Sequence, residues 1–216
     1  RFWSQPKITL PAIQEPHWER TRQACSRPGE YLLIEDTTEL DYTGHDSAED
    51  LGSIGDGNGR GLLLHSTLAV RVENWQDDQP QGVIVGLLRQ KCWARSVWNR
   101  PEESETRAER LSRSRESQRW AEVFEQIDLP GKQCVWIYIA DRESDFYEPI
   151  ERCQRHKLDF IIRAYQDRKI IVGPKDQQDY TRLKEAVANA PALGRIKVEL
   201  RARPGKSART ATVELR

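Results

Sequence analysis

The sequence predicts an α/β fold built on a mixed sheet, with three antiparallel strands followed by two parallel strands. Two short apolar runs carry this prediction, at residues 31–34 and 134–140, and each is followed closely by an aspartate. Runs of this kind are typical of strands that are buried on both faces. A stretch with helical spacing lies between them, so we expect the two strands to pair in parallel through a right-handed crossover.

The second and third strands are predicted at residues 62–72 and 82–90, two runs rich in apolar and β-branched side chains with a polar turn between them. They form an antiparallel meander with the first strand. The glycine-rich stretch at residues 51–61 precedes them. No Lys-Ser or Lys-Thr pair follows its last glycine, so it fails the phosphate-binding loop pattern, and we interpret it as a mobile connection.

Residues 101–115 are dense in charge and are interpreted as an exposed connection. A helix is expected from Glu116 to a stop at Leu129-Pro130-Gly131. Its apolar face consists of Trp120, Val123, Phe124 and Ile127. A second amphipathic helix is expected over residues 145–156, before a fifth strand at residues 158–164.

If the first strand is central and pairs with the fourth, the sheet is ribonuclease-H-like. Asp36 and Asp141 would then lie on neighbouring strands, about 4.8 Å apart. Two carboxylates so close repel each other unless a cation lies between them. Mg²⁺ or Mn²⁺ in a two-metal site would suit in-line phosphoryl displacement. If the first strand is considered without the rest of the chain, the alternative to a metal ligand is that Asp36 caps a turn at the end of the strand.

A two-metal site usually needs a third carboxylate. The candidates near in sequence are Glu39, Asp41, Glu143 and Asp145, and none is better than a solvated or capping residue. Glu39 would point to the face opposite Asp36. His65 lies within the second strand, where a lone histidine is more often a hydrogen-bonded structural residue than a ligand.

Composition narrows the class of protein. The 216 residues include 34 basic and 34 acidic side chains, and no apolar run is long enough to span a membrane. The first residues do not form a signal peptide, and the absence of Met suggests an internal fragment. The four cysteines form no C-x-x-C pair, which argues against structural zinc and favours reduced cytosolic thiols.

The charges are divided unevenly along the chain. Residues 1–150 carry a net charge of −8 and residues 151–216 a net charge of +8. This suits a carboxylate metal site joined to a polyanion-binding surface, although ordinary solvated surfaces explain the counts as well. Near the end, a helix over residues 181–190 is followed by strands at residues 196–200 and 211–215, which predict a β-hairpin with a cationic tip.

Five segments in order resemble the bacterial DDE transposases of the IS-four group. They are D-T-T-E-L-D-Y (36–42), G-R-G-L-L-L-H-S (59–66), G-L-L-R-Q-K-C-W-A-R (86–95), E-S-Q-R-W (116–120) and D-R-E-S-D-F-Y (141–147). The resemblance implies a ribonuclease-H-like core and cut-and-paste DNA transposition, with Asp36 and Asp141 as the first two catalytic, metal-binding carboxylates. The third, a Glu on a later helix, has no match here and is expected beyond residue 216, so the fragment is expected to be inactive alone.

The resemblance also implies the domains. Residues 1–28 would be the tail of a helical domain that binds transposon ends, with a helix that could start near Pro16. Residues 29–165 would be the catalytic core, and residues 166–216 the start of a β-rich insertion domain. Relatives act as dimers on paired DNA ends, which implies transposon-end and target DNA as partners and a bacterial cytoplasmic, nucleoid-associated location.

Several residues other than Asp36 and Asp141 are weaker candidates for a role in DNA binding or in supporting the site. The residues expected to contact the DNA backbone are Arg142, Lys197, Arg201, Arg203, Lys206 and Arg209. The residues expected to support the site are Thr37, His65 and Glu143. Arg142 could equally pair with a neighbouring acid, the hairpin cations could serve solubility alone, and Thr37 could be a strand former. Two other functions stay open: another ribonuclease-H-like nuclease or phosphotransferase, and a catalytically dead DNA-binding transposon remnant.

Overall fold

The chain folds into two compact units, Arg1–Ala164 and Tyr165–Arg216, in a computed structural model. The structure describes residues 2–74, 80–95, 125, 127, 130–131, 133–174 and 177–216. The first unit holds the sheet that carries both aspartates, and the second holds the basic hairpin. The assignment of these parts to an end-binding tail, a catalytic core and an insertion domain stays a prediction.

The first unit is a mixed α/β structure. Its strands are β1 (Gly29–Asp41), β2 (Gly52–Ile54), β3 (Gly59–Glu73), β4 (Gln81–Trp93), β5 (Cys134–Ala140) and β6 (Asp159–Ile162). The strand order is β2-β3-β1-β5-β6, and β4 also pairs with β3. β1 runs antiparallel to β3 and parallel to β5, and β5 runs parallel to β6. The predicted central place of the first strand and its parallel pairing with the run at residues 134–140 are therefore both observed.

Alternating burial along β1 distinguishes a buried face of this strand from a more exposed one. On β1, Tyr31, Leu33 and Glu35 are buried, whereas the side chains between them are only half-buried. Tyr31 and Leu33 pack with Trp136 and Tyr138 of β5 in the main core. The expectation that β1 is buried on both faces is met on one face only, because the second face is half-buried at Leu32 and Ile34 and exposed at Asp36 and Thr38.

The first helix, α1 (Leu10–Cys25), covers this sheet. It begins six residues before the predicted start at Pro16, which lies inside the helix. Pro11 occupies the first turn instead, and the side chain of Thr9 accepts a hydrogen bond from the Ala12 N–H, which caps the helix. The buried residues Trp18 and Cys25 face the sheet.

The second helix, α2 (Tyr147–His156), begins two residues later than predicted. A 3₁₀ turn, Arg142–Ser144, separates it from β5. Cys153 is fully buried in the main core, together with Leu158 just past the helix end. Lys157 ends the helix in the left-handed conformation, with a φ of 55°. The turn and helix return the chain to the start of β6, as a parallel pair requires.

Two other predictions need correction or limitation. The glycine-rich stretch at 51–61 is more than a connection, because Gly52–Ile54 forms β2 and pairs with the start of β3. The connection at 101–115 and the helix from Glu116, including Trp120, Val123 and Phe124, lie outside the described residues. Ile127, at the end of that predicted helix, is described and packs against the main core.

The second unit contains two hairpins and a short helix. Strand β7 (Lys169–Val172) pairs with β8 (Asp179–Arg182), and α3 (Leu183–Asn189) follows. The sequence prediction misses both of these strands and places the helix start two residues early. The predicted basic hairpin is observed as β9 (Gly194–Leu200) and β10 (Arg209–Leu215). In the described part of the chain, no helix combines the length and apolar character needed to cross a membrane.

Candidate active site

Asp36 and Asp141 come to adjacent positions on one face of the sheet. The parallel register of β1 and β5 ends at the pair Glu35–Ala140, so the two aspartates occupy the next position on each strand. Neighbouring strands lie roughly 4.8 Å apart. Both side chains are exposed. The sheet therefore brings together two carboxylates that are 105 residues apart in the sequence.

Each carboxylate is oriented by one local backbone donor. The Thr37 N–H donates to Asp36 Oδ1 at 2.9 Å. The Glu143 N–H donates to Asp141 Oδ1 at 2.7 Å, because Asp141 caps the 3₁₀ turn after β5. Within residues 2–74, 80–95 and 133–216 as described, neither aspartate forms an ion pair. The backbone thus holds two exposed carboxylates at neighbouring positions of β1 and β5, where a bound cation would offset repulsion between them.

The candidate third carboxylates serve other purposes. Glu39 accepts the N–H of Gly55 at 2.8 Å, which ties β1 to the β2–β3 turn. Asp41 accepts hydrogen bonds from the hydroxyl and the N–H of Thr43, and these hydrogen bonds lower the pKa of Asp41. Asp145 is buried, with 8% of its surface exposed. Across the described residues, no group of three or more His, Cys, Asp or Glu side chains is arranged to hold a metal ion.

Arg142 and Glu143 lie in the turn that follows Asp141, and both are exposed. The carbonyl of Arg142 accepts the N–H of Asp145 at 3.3 Å, which closes the turn. The backbone of Glu143 orients Asp141, as described above. The turn therefore places a guanidinium and a further carboxylate at the same end of β5.

Thr37 and His65 take part in a buried polar cluster on the opposite face of the sheet. His65 is 1% exposed, and its Nδ1 lies 2.9 Å from Thr37 Oγ1. Its Nε2 lies 3.3 Å from the carboxylate of Glu35. His65 is thus a hydrogen-bonded structural residue on the buried face. It is not on the face that carries Asp36.

Sequence reasoning missed the centre of this cluster, Glu35, and its partner Tyr138. Glu35 is 4% exposed and accepts the hydroxyl of Tyr138 at 2.7 Å. Burial, together with the adjacent Glu35 carboxylate, raises the pKa of Tyr138 well above its usual value. The period of two on β1, which places Glu35 on the face of Tyr31 and Leu33, is the signal that could have found it.

The basic hairpin of the second unit concentrates cations at its tip. Arg203 and Lys206 pair through two backbone hydrogen bonds of 3.0 and 2.8 Å. A concave surface of about 470 Å³ at the tip is lined by Glu199, Leu200, Arg201, Arg203, Lys206, Ser207 and Arg209. Lys197 lies farther along β9, opposite Thr212. Among the residues that the structure describes, none of these five cations forms an ion pair, whereas Arg195 pairs with Glu214 at 3.3 Å.

No protein-family model matches the chain.

Proposed function

We propose that this chain is part of a DNA transposase, with Asp36 and Asp141 as two carboxylates of a metal-dependent phosphoryl-transfer site. The observation that carries the proposal is the adjacency of these aspartates on β1 and β5. The strand order agrees with the ribonuclease-H-like core that the resemblance to the IS-four group implies. Supporting evidence also comes from the cationic hairpin, whose exposed side chains suit a polyanionic substrate.

The donor set at the two aspartates fits a hard divalent cation. Both residues offer carboxylate oxygens, the ligands that Mg²⁺ and Mn²⁺ prefer, and both are exposed. Each keeps one oxygen oriented by a backbone N–H, so the carboxylates are held without being neutralised. When bound, divalent ions at such a site polarise phosphate oxygens and activate water.

The chain's own residues would then orient the DNA. Arg142, directly after Asp141, is in reach of a phosphate that approaches this end of the sheet. The hairpin cations Arg201, Arg203 and Lys206 would neutralise backbone phosphates without reading sequence. This function also requires a third carboxylate, a Glu on a later helix in the family that the chain resembles, and that Glu has no match in this sequence.

The test is a double-mutant cycle on Mn²⁺ affinity, measured by calorimetry and by the EPR signal of free Mn²⁺. Asp36→Ala and Asp141→Ala should each weaken binding about tenfold or more, since each removes a direct ligand. The double variant should bind little more weakly than either single variant, because one ligand cannot hold the ion alone and the two effects couple.

Asp56→Ala is the matched control, because Asp56 is an exposed aspartate in the β2–β3 turn. It should leave Mn²⁺ affinity unchanged. The proposal fails if Asp36→Ala and Asp141→Ala bind Mn²⁺ as well as the unaltered chain does. Independent, additive losses would instead show that the two aspartates belong to different sites.

A further inference from the structure

A buried polar cluster lies directly behind the two aspartates. Its members are Glu35, Thr37, His65, Thr67, Tyr138 and Ser144. Glu35, His65, Thr67 and Tyr138 are each no more than 4% exposed. A buried carboxylate is costly unless hydrogen bonds compensate it. Glu35, the residue next to Asp36, therefore needs hydrogen-bond partners at fixed positions.

Glu35 receives those partners from the two neighbouring strands, β3 and β5. Tyr138 on β5 donates its hydroxyl to Oε2 at 2.7 Å, and Thr67 on β3 donates to Oε1 at 3.0 Å. His65 Nε2 lies 3.3 Å from Oε2. Since a carboxylate only accepts, the Nε2 that faces Glu35 carries a proton, and the other ring nitrogen, Nδ1, lies 2.9 Å from the Thr37 hydroxyl oxygen. The cluster locks β1, β3 and β5 in one register.

One arm of the cluster reaches Asp36. The Thr37 side chain is held by His65 on the buried face, and the Thr37 N–H donates to Asp36 Oδ1 at 2.9 Å on the other face. Because the hydroxyl and the N–H belong to one residue, fixing the side chain also fixes the backbone donor. The path from Glu35 to Asp36 thus runs through three hydrogen bonds and two intervening residues, His65 and Thr37.

A second arm reaches Asp141. The buried side chain of Ser144 lies near the Tyr138 hydroxyl. Ser144 closes the 3₁₀ turn through its N–H, which donates to the Asp141 carbonyl at 3.3 Å. The same turn supplies the Glu143 N–H that holds Asp141 Oδ1. Tyr138 therefore connects Glu35 to the turn that orients the second aspartate.

We propose that Glu35, with His65, Thr37 and Tyr138, forms a positioning cluster that fixes both aspartates in the geometry required for a shared metal ion. The inference rests on the proposed metal site. It assigns Glu35 no direct role as a ligand, because its side chain lies on the buried face. Outer partners of metal ligands commonly change metal affinity when they are removed.

The experiment compares Thr37→Val with Thr37→Ser in the full 216-residue chain. Valine matches the shape of threonine and lacks the hydroxyl, whereas serine keeps it. Mn²⁺ affinity, followed by calorimetry and EPR, should fall roughly 10–100-fold in Thr37→Val and return towards the original value in Thr37→Ser. Tyr138→Phe, which removes only the hydroxyl shared by both arms, should weaken Mn²⁺ binding to a similar degree.

Leu33→Val is the control for general destabilisation. Leu33 is fully buried on the same face of β1 and has no polar side-chain atom. This variant should melt at a lower temperature than the original chain and bind Mn²⁺ with unchanged affinity. If Tyr138→Phe does not fold, as judged by far-UV circular dichroism, the Thr37 pair decides the question.

The outcomes separate this inference from the proposed function. Normal Mn²⁺ affinity in Thr37→Val and Tyr138→Phe, with weak binding in Asp36→Ala, would overturn the positioning role and leave the metal site standing. Equal losses in Thr37→Val, Thr37→Ser and Leu33→Val would also overturn it, because affinity would then follow stability. Unchanged binding in Asp36→Ala would overturn both proposals.

Discussion

Glu35 and Asp36 are neighbours in the chain whose side chains lie on opposite faces of β1. Glu35 is buried and has three side-chain hydrogen-bond partners, whereas Asp36 is exposed and held by one backbone N–H. The difference follows from the period of two along a strand. β1 can therefore expose the Asp36 carboxylate to solvent on one face. On the other face, the preceding residue, Glu35, forms hydrogen bonds in the core.

Two buried thiols make the folded state less stable at alkaline pH. Burial raises the pKa of Cys25 to about 11 and that of Cys153 to about 12. Above about pH 9 the unfolded thiols ionise while the folded ones stay protonated, so the unfolded chain binds fewer protons and the folded state loses stability as pH rises. The loss begins near pH 9 and continues through the folded-state values, for a total of a few kcal/mol.

The check is urea unfolding between pH 8 and pH 11 for the original chain and for Cys25→Ala/Cys153→Ala. The variant should be less stable at pH 8, because both side chains are in the main core. Its free energy of unfolding should fall less steeply with pH than that of the original chain. Parallel curves for the two proteins would contradict the prediction.

At the scale of elements, the docking of α1 against β4 depends on a close approach at Gly86. The Leu87 N–H donates to His17 Nε2 at 3.0 Å, and the Arg89 guanidinium lies 4.4 Å from the centre of the Trp18 ring. Gly86 has a φ of +152°, and a Cβ there would lie 2.5 Å from the Thr21 hydroxyl oxygen and 3.1 Å from the His17 ring. Only glycine allows the helix to lie this near.

Gly86→Ala should therefore destabilise the chain by about 1–3 kcal/mol, since α1 must shift away from β4 to make room. Gly44→Ala is the matched control, because no atom lies within 4 Å of a Cβ at Gly44 and its φ is ordinary. The control should change the free energy of unfolding by less than about 0.5 kcal/mol. Urea unfolding of both variants measures this, and equal effects would contradict the close-approach argument.

The existence of most elements could be predicted, but several boundaries could not. The apolar runs at 31–34 and 134–140 predicted β1 and β5, because continuous apolar stretches have few alternatives to a buried strand. The start of α1 was placed at Pro16, since proline suits a first turn, and a second proline at position 11 satisfied the same rule earlier. Strands β7 and β8 are four residues each and largely exposed, so their pattern is too short to detect.

At the scale of the whole molecule, charge separates between the two units. Tyr165–Arg216 contains twelve basic and six acidic side chains, a net charge of +6, and Arg1–Ala164 carries −6. The acidic unit holds the two aspartates and the basic unit holds the cationic hairpin. This division suits a protein in which one unit binds cations at carboxylates and the other binds phosphates, as proposed above.

Arg201→Gln/Arg203→Gln should weaken binding to a mixed-sequence DNA duplex and reduce the slope of log affinity against log salt by up to about 2, since each phosphate contact contributes roughly 0.9. Fluorescence anisotropy between 50 and 200 mM KCl measures the slope. Lys184→Gln/Arg195→Gln removes the same charge from the same unit away from the hairpin tip and should leave the slope nearly unchanged. Equal reductions in the two variants would show that binding follows net charge and does not depend on the hairpin tip.

The sequence by itself determined most of the strands and the two aspartates that follow the apolar runs at residues 31–34 and 134–140, because these features follow from local periodicity and composition. Only the tertiary structure decided which side chains meet. Asp36 and Asp141 are adjacent because β1 pairs with β5 in one register, and a shift of one residue would place them on opposite faces. The cluster around Glu35 likewise draws on β1, β3, β5 and the turn after β5. Local sequence patterns do not specify contacts between such distant segments, since these contacts form only when separate strands share one buried face.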